Sequence, residues 1–473
     1  MITRRQFIRR SAVIGTAAWL GREAGLVTEV MAAENDRGLP RVVHGRHGRA
    51  VLWSEVSGLY RDWVDQDAVS SILNASVRRL KGGTLDEAWQ SVFPLANPES
   101  RILAIKVSCN NSNDSVNGAG NEIDAVPEPA IAVVEGFIRA GGLEQNVHIY
   151  DGSDEYPIRY IASWFREKVV ARFPQVMFHD DAFSNGGYPA GPYHPSTHVT
   201  WSAGYESPPP EMSIYQLVLD ADYLVNIPIV KPHGFANVSL GFKNHFGTVN
   251  RCARLHPYLQ EDVPQASVLA DIMASPRDPT NPNVRSIAEK TVLTVADMLY
   301  ASACTHFNTI PDPWITFGGE WPAALVVSDD PVALDSVLID LIEAEPRHGS
   351  GDCAQIKSYV RTYLRHAEGL GLGAHDQVDL PVGELHDPSR MNYQKIDYHY
   401  LELFRGGAEL MLSRNLDGSI QLSWDHYFDG SFEVYRAGNA DFSDQSLLAV
   451  TSEKTYTDRS APDRAYYRVV YSG

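Results

Sequence analysis

Asp220-Ala221-Asp222-Tyr223-Leu224-Val225-Asn226-Ile227-Pro228-Ile229-Val230-Lys231-Pro232-His233 is the stretch on which the architecture turns. Its centre, residues 223–229, is almost continuously apolar, so a strand here must be covered on both faces. Runs of similar length and character recur at residues 102–107, 147–150, 291–295 and 324–327. Between them lie segments with helical apolar spacing, at residues 128–140, 158–171, 214–220, 331–342 and 353–368. Gly141-Gly142 closes the first of these in the way a C-terminal cap with positive φ requires. The alternation predicts an α/β domain, a mainly parallel sheet with helices on both faces.

Composition agrees with a folded chain. Of 473 residues, 44% are hydrophobic and 21% charged, too apolar a balance for a disordered protein. At roughly 150 residues per domain, the length accommodates two or three. The 59 acidic and 40 basic residues leave a net charge of −19, which argues against a general affinity for nucleic-acid backbones or anionic membrane surfaces. No stretch approaches the roughly 20 apolar residues of a membrane-spanning helix, so no integral membrane segment is expected in the mature chain.

The N-terminus carries Thr3-Arg4-Arg5-Gln6-Phe7-Ile8, then a weakly apolar stretch from Ser11 to Leu20, then the small-residue site Val30-Met31-Ala32-Ala33. This pattern resembles a twin-arginine (Tat) signal peptide over residues 1–33. The resemblance implies export of an already folded protein, to the periplasm or beyond. The segment holds five arginines and two glutamates, so its removal takes the net charge from −19 to −22. Cys109, Cys252, Cys304 and Cys353 form no C-x-x-C pair, which leaves an iron-sulfur cluster or a structural zinc site without its usual spacing. Buried thiols and one or two disulfides both remain open for them.

Residues 34–100 read as an N-terminal helical extension, with helical spacing at residues 68–80, and residues 101–385 as the α/β domain. After a tyrosine-rich linker, residues 386–407, the pattern changes to short alternating strands over residues 408–473. Ile420-Gln421-Leu422-Ser423-Trp424, Phe432-Glu433-Val434-Tyr435-Arg436, Tyr456-Thr457-Asp458 and Ala465-Tyr466-Tyr467-Arg468-Val469 resemble a fibronectin type III module. The module is short for that family, so one edge strand is expected to be missing or supplied by the linker. Contact with a carbohydrate or a cell surface is an open partner class for it.

The opening stretch runs into Gly241-Phe242-Lys243-Asn244-His245-Phe246-Gly247 and, later, Ser328-Asp329-Asp330-Pro331-Val332-Ala333-Leu334-Asp335. With Ala104-Ile105-Lys106, these motifs resemble the DUF362 family, a group named for its unknown function. Many relatives carry a ferredoxin-like module with cysteine clusters. This chain has none, which weakens any electron-transfer role the resemblance would imply.

The candidate site follows from position along the strands. Lys231-Pro232-His233 is read at the carboxyl end of a strand covering residues 226–230, where open parallel sheets bind ligands. Lys243, Asn244 and His245 add an ammonium, an amide and an imidazole. Lys106 leaves the first strand ahead of Asn110, in a polar loop that reads equally as a lid or as solvated connection. Asp151 and Asp297 follow two further strands. In an acidic chain this local basicity suits a small anionic ligand, with Lys106, Asn110, Lys231, Lys243, Asn244 and Asp297 binding it and His233, His245 and Asp151 moving protons.

The plainer alternative is that the lysines pair with structural carboxylates, the histidines donate to carbonyls and the aspartates cap helices. His233, His245 and His256 lack metal-binding helical spacing, so no metal ligand is assigned and the cofactor stays unknown. P-loop, dinucleotide-binding and nucleophile-elbow motifs are absent. An enzyme of unknown reaction, a non-catalytic metal- or cofactor-binding protein and a surface-associated adhesion protein all fit the sequence.

Overall fold

The computed structural model describes residues 38–53, 58–109, 122–152, 160–185, 193–260, 266–277, 281, 283–302, 310–346, 358–403, 409–414, 419–425, 431–438, 444–453, 455–460 and 465–471. The signal-like segment, Asn110, Cys304 and Cys353 lie outside them. The chain divides into an α/β unit, residues 39–46 and 50–401, and a second unit made mainly of residues 402–473. No helix among the described residues is long and apolar enough to cross a membrane. Cys109 and Cys252 are buried free thiols.

Along the α/β unit run β1 (Arg41–His47), β2 (Leu103–Lys106), β3 (Val147–Tyr150) and β4 (Met177–His179). They are followed by the hairpin of β5 (Tyr193–His198) and β6 (Ser213–Tyr215), by β7 (Tyr223–Asn226), and by the hairpin of β8 (Lys231–His233) and β9 (Asn237–Ser239). The last strands are β10 (Thr291–Met298), β11 (Ala324–Ser328) and β12 (Asp397–Leu403). Eight of these form one sheet in the order β12-β1-β11-β10-β7-β2-β3-β4. β10, β7, β2, β3 and β4 are mutually parallel, whereas β11 runs antiparallel to both β10 and β1. The sheet is therefore mixed and mostly parallel.

Side-chain alternation sorts the two faces. Val42, Ala104, Tyr150, Leu224, Ala296 and Val326 share one core with the helices Val268–Met273, Pro331–Ala344 and Thr362–Gly369. On the opposite face, Gly45 of β1 lies directly against Ile72 and Ser76 of the helix Gln66–Lys81, which in turn packs on Leu85–Val92 and Pro127–Arg139. Asp65 caps the first of these helices, and Thr84 with Glu87 closes a capping box on the second. Asp330 caps Pro331–Ala344 through the amides of Val332 and Ala333, the role an aspartate before a proline-started helix predicts.

Two differences from the sequence reading matter for the site. The run after Tyr223 leaves the ladder at Asn226 because Pro228 has no N–H to donate. The chain then follows β10 only through Val230 N–H to Asp297 O (3.0 Å) and Asp297 N–H to Pro228 O (2.8 Å). Lys231-Pro232-His233 accordingly forms one arm of a hairpin with Asn237–Ser239, not a turn at a strand end. Residues 41–47, which have no apolar periodicity, form a strand inside the sheet.

The second unit contains β13 (Glu409–Arg414), β14 (Ile420–Asp425), β15 (Phe432–Ala437), β16 (Ser446–Thr451), β17 (Thr455–Asp458) and β18 (Tyr466–Tyr471). They make two antiparallel three-stranded sheets, β13-β14-β17 and β16-β15-β18. Leu422 and Trp424 from one sheet and Phe432, Val434 and Tyr467 from the other form a common core. The Tyr467 hydroxyl donates to Asp458 Oδ2 (2.8 Å), which also pairs with Arg436 (2.8 Å).

The tightest helix contact of the α/β unit supplies a test of packing. A Cβ on Gly136 would lie 2.5 Å from the ring of fully buried Trp89, whose Nε1–H is anchored on Asn74 Oδ1 (2.9 Å). Gly136→Ala is expected to destabilise the chain by about 1–3 kcal/mol, overpacking outweighing the gain in helix propensity. Urea unfolding measures this, and an unchanged or raised midpoint would mean that the indole gives way.

Candidate functional site

The chain lays down β2, β3 and β4 in one direction, then returns to place β7 on the other flank of β2. In open sheets such a reversal leaves a crevice outside the carboxyl ends of the two flanking strands. The residues closing those strands are Lys106 and Asn226, which are register partners.

Lys106 is 2% exposed. Its ammonium donates to Asp151 Oδ1 (2.7 Å), Val107 O (2.5 Å) and Asn244 Oδ1 (3.2 Å), so each of its three protons has an acceptor. The Asp151 carboxylate also takes the amides of Cys109 (2.7 Å) and Gly152 (2.8 Å). Asn244, its oxygen committed to Lys106, turns its NH₂ to Asn226 Oδ1 (2.7 Å), and Asn226 passes its own NH₂ to Gly241 O (2.9 Å). Gly241 N–H and Phe242 N–H donate to Asp335, which also accepts from the Tyr363 hydroxyl (2.9 Å). Asp335 thus secures the helical turn Gly241–Asn244. Burial pushes its pKa up to about 6.

Gly247 closes the arrangement. A Cβ there would overlap Asp151 Oδ1, Gly152 O and Lys106 Cε, so only glycine lets this backbone approach the ion pair. Beside it, fully buried His245 shares a hydrogen bond between Nδ1 and Thr248 Oγ1 (3.0 Å), and Thr248 Oγ1 shares another with the Tyr150 hydroxyl (3.1 Å). His245 Nε2 is buried and has no hydrogen-bond partner among the described residues. Burial, aided by the charge of Lys106, lowers the His245 pKa to about 3, so its imidazole is neutral at physiological pH. Tyr150 stacks on Tyr215 (5.5 Å between centroids), against which Tyr193 packs edge-on (5.1 Å).

Of the residues singled out from sequence, Lys106, Asp151, Asn244 and His245 come together in this cluster. Lys231 is buried in β8 opposite Ser239. His233 accepts the amides of Phe235 and Ala236 at Nδ1 (3.1 Å each) and stacks on His256 (5.6 Å). Lys243 lies 3.7 Å from the ring centroid of Phe246, a cation–π contact. Asn110 lies outside the described residues. Asp297 faces away from the cluster: it pairs with Leu325, as does Gly45, and so points to the face covered by Gln66–Lys81. Among the described residues no group of three or more His, Cys, Asp or Glu is placed to hold a metal ion.

Asn226, Thr248, Tyr150 and Tyr215 were not singled out as site residues. For Asn226 the signal was available, an amide ending an apolar strand within the most informative stretch. The others acquire their roles only from tertiary contacts.

These features define an α/β protein with a buried polar cluster at the switch point of its sheet. Residues 130–340 match the family described as "Domain of unknown function (DUF362)", which supports the DUF362 family. The search of curated proteins returned no match. Among solved structures, the chain is similar to a Thermotoga maritima protein from the Northeast Structural Genomics Consortium, with 13% identity and a TM-score of 0.27. That similarity covers 61% of this chain and 58% of the other.

Asp297 yields a prediction about pH. Burial raises its pKa from 3.8 to about 7, so the folded state holds the proton more tightly than the unfolded state does. Stability contributed by the protonated form is present below about pH 4 and lost as pH rises towards 7. Asp297→Asn, which can still accept Leu299 N–H, is expected to gain on the wild type by up to about 4 kcal/mol between pH 4 and pH 8. Urea midpoints for both proteins across that range test it, and parallel pH profiles would contradict it.

Proposed function

We propose that this is an exported protein whose α/β unit binds a small anionic molecule at the carboxyl edge of its sheet and acts on it as an enzyme. The observation that carries the reading is the buried Lys106, Asp151, Asn244 and Asn226 network at the switch point between β2 and β7. Structural ion pairs have no need of this address, whereas ligand sites of open α/β sheets lie there. Lys106 acts in this reading chiefly as a positioning group, because its protons are already committed. Lys231, assigned to the ligand from its place in the Lys231-Pro232-His233 motif, and His245 are the groups proposed to meet it.

Export rests on the twin-arginine-like pattern of residues 1–33. Fusing that segment to a reporter, with and without Arg4→Lys and Arg5→Lys, tests it: export should require the pair. The second unit is proposed to be a fibronectin III-like module without one edge strand. Its three-plus-three sheets, the core position of Trp424 and the bond from Tyr467 to Asp458 support this.

Binding is tested by thermal unfolding of the full chain with acetate, oxalate, inorganic phosphate and sulfate. At least one anion is expected to raise Tm saturably, by the stabilisation that ligand binding to the native state confers. Lys231→Met is expected to weaken that anion at least about tenfold, the loss of a charge-assisted hydrogen bond. No response to any of the four, or an equal response in the variant, would overturn the reading.

A further inference from the structure

We propose that Tyr150 and Thr248 are positioning residues that lock His245 in the tautomer with its proton on Nε2, making the buried Nε2–H a fixed donor for a ligand oxygen. The inference rests on the reading of this crevice as a binding site and assigns His245 a donor's role where proton transfer had been expected.

Two arrangements keep the Thr248 proton in use. Thr248 has one hydroxyl proton and stands between two groups, the Tyr150 hydroxyl (3.1 Å) and His245 Nδ1 (3.0 Å). If Tyr150 donates to Thr248, then Thr248 donates to Nδ1 and the imidazole proton is on Nε2. If His245 donates from Nδ1, then Thr248 donates to the Tyr150 oxygen, and the fully buried Tyr150 O–H has no other acceptor among the described residues. The second arrangement strands a phenolic proton and a ring lone pair, the first a single N–H. Both leave one donor unpaired, and the additional unpaired acceptor of the second costs about 1–3 kcal/mol, so the first arrangement is preferred.

The surroundings favour the same answer. Lys106 acts on His245 with its positive charge, Asp151 at the end of β3 is already bound by Lys106, Cys109 and Gly152, and Tyr150 reaches His245 through Thr248. A fixed N–H donor complements a carboxylate, phosphate or carbonyl oxygen, with the committed Lys106 ammonium adding only its charge. A neutral imidazole donor holds its proton throughout the reaction, which suits polarising an oxygen and not shuttling a proton.

The test uses the full chain with ¹⁵N-labelled histidine, the His245 signals assigned by their loss in His245→Gln. Long-range proton–nitrogen correlation spectra between pH 5.5 and 8 are expected to show His245 neutral, with the proton on Nε2 and no change across the range. A proton on Nδ1, or an imidazolium within that range, overturns the lock. Thr248→Val, close in volume and lacking the hydroxyl, is expected to mix the tautomers, and an unchanged spectrum overturns the role of Thr248. Oxalate at concentrations that stabilise the wild type is expected to move the Nε2–H proton downfield, and stabilisation without that shift overturns the donor assignment. Failure of every anion to stabilise the chain counts against the binding reading alone, and the tautomer spectra still decide the lock.

Discussion

An ammonium sealed from water needs three acceptors, and meeting that need at Lys106 organises the carboxyl edge of the sheet. Asp151 must stand at the end of β3 with a free oxygen, and Asn244 must present its carbonyl and not its NH₂. That choice propagates, since Asn244 then donates to Asn226 and Asn226 to the Gly241 carbonyl. Two strands and the turn between residues 241 and 244 are therefore held in register by one polarity, running from a cation to a backbone oxygen. Removing one member of such a buried pair strands the other charge, at a cost of about 3–5 kcal/mol. Gly247 belongs to the same constraint, because a side chain there would occupy the space of the pair.

Much of the parallel portion of the sheet was legible, because a strand covered on both faces must be written in apolar residues. Residues 147–150 are such a case, read with the bounds the structure gives. β1 was not legible. Arg41-Val42-Val43-His44-Gly45-Arg46-His47 carries four basic or imidazole side chains whose burial depends on distant partners, such as Asp397 for Arg41 (2.8 Å) and the Tyr398 hydroxyl for His44 (2.9 Å). Nor does an isolated apolar run state its direction, so the antiparallel course of β11 emerges only from its pairing. In the candidate site, Lys106, Asp151, Asn244 and His245 were found because strand ends and short polar motifs mark them. Asp297 shows the limit: in a period of two, the face is set by the register of the neighbouring strand, and β10 turns this carboxylate to the other side.

The charge of the chain and the chemistry of its interior run in opposite senses. Acidic residues outnumber basic ones, yet Lys106 and Lys231 are each 1–2% exposed. Burial also raises the pKa of Asp330, Asp335 and Asp340 to about 6. The interior thus discourages negative charge where the surface accumulates it.

The place of β1 bears on the order in which the chain can assemble. It lies between β11 and β12, so its partners are made some 280 and 350 residues after it. Until those residues arrive, this segment keeps backbone donors and acceptors without their strand partners. Contacts of such sequence separation form late and close the longest loops of the fold. The N-terminal strand therefore works as a latch that shuts only on a finished sheet.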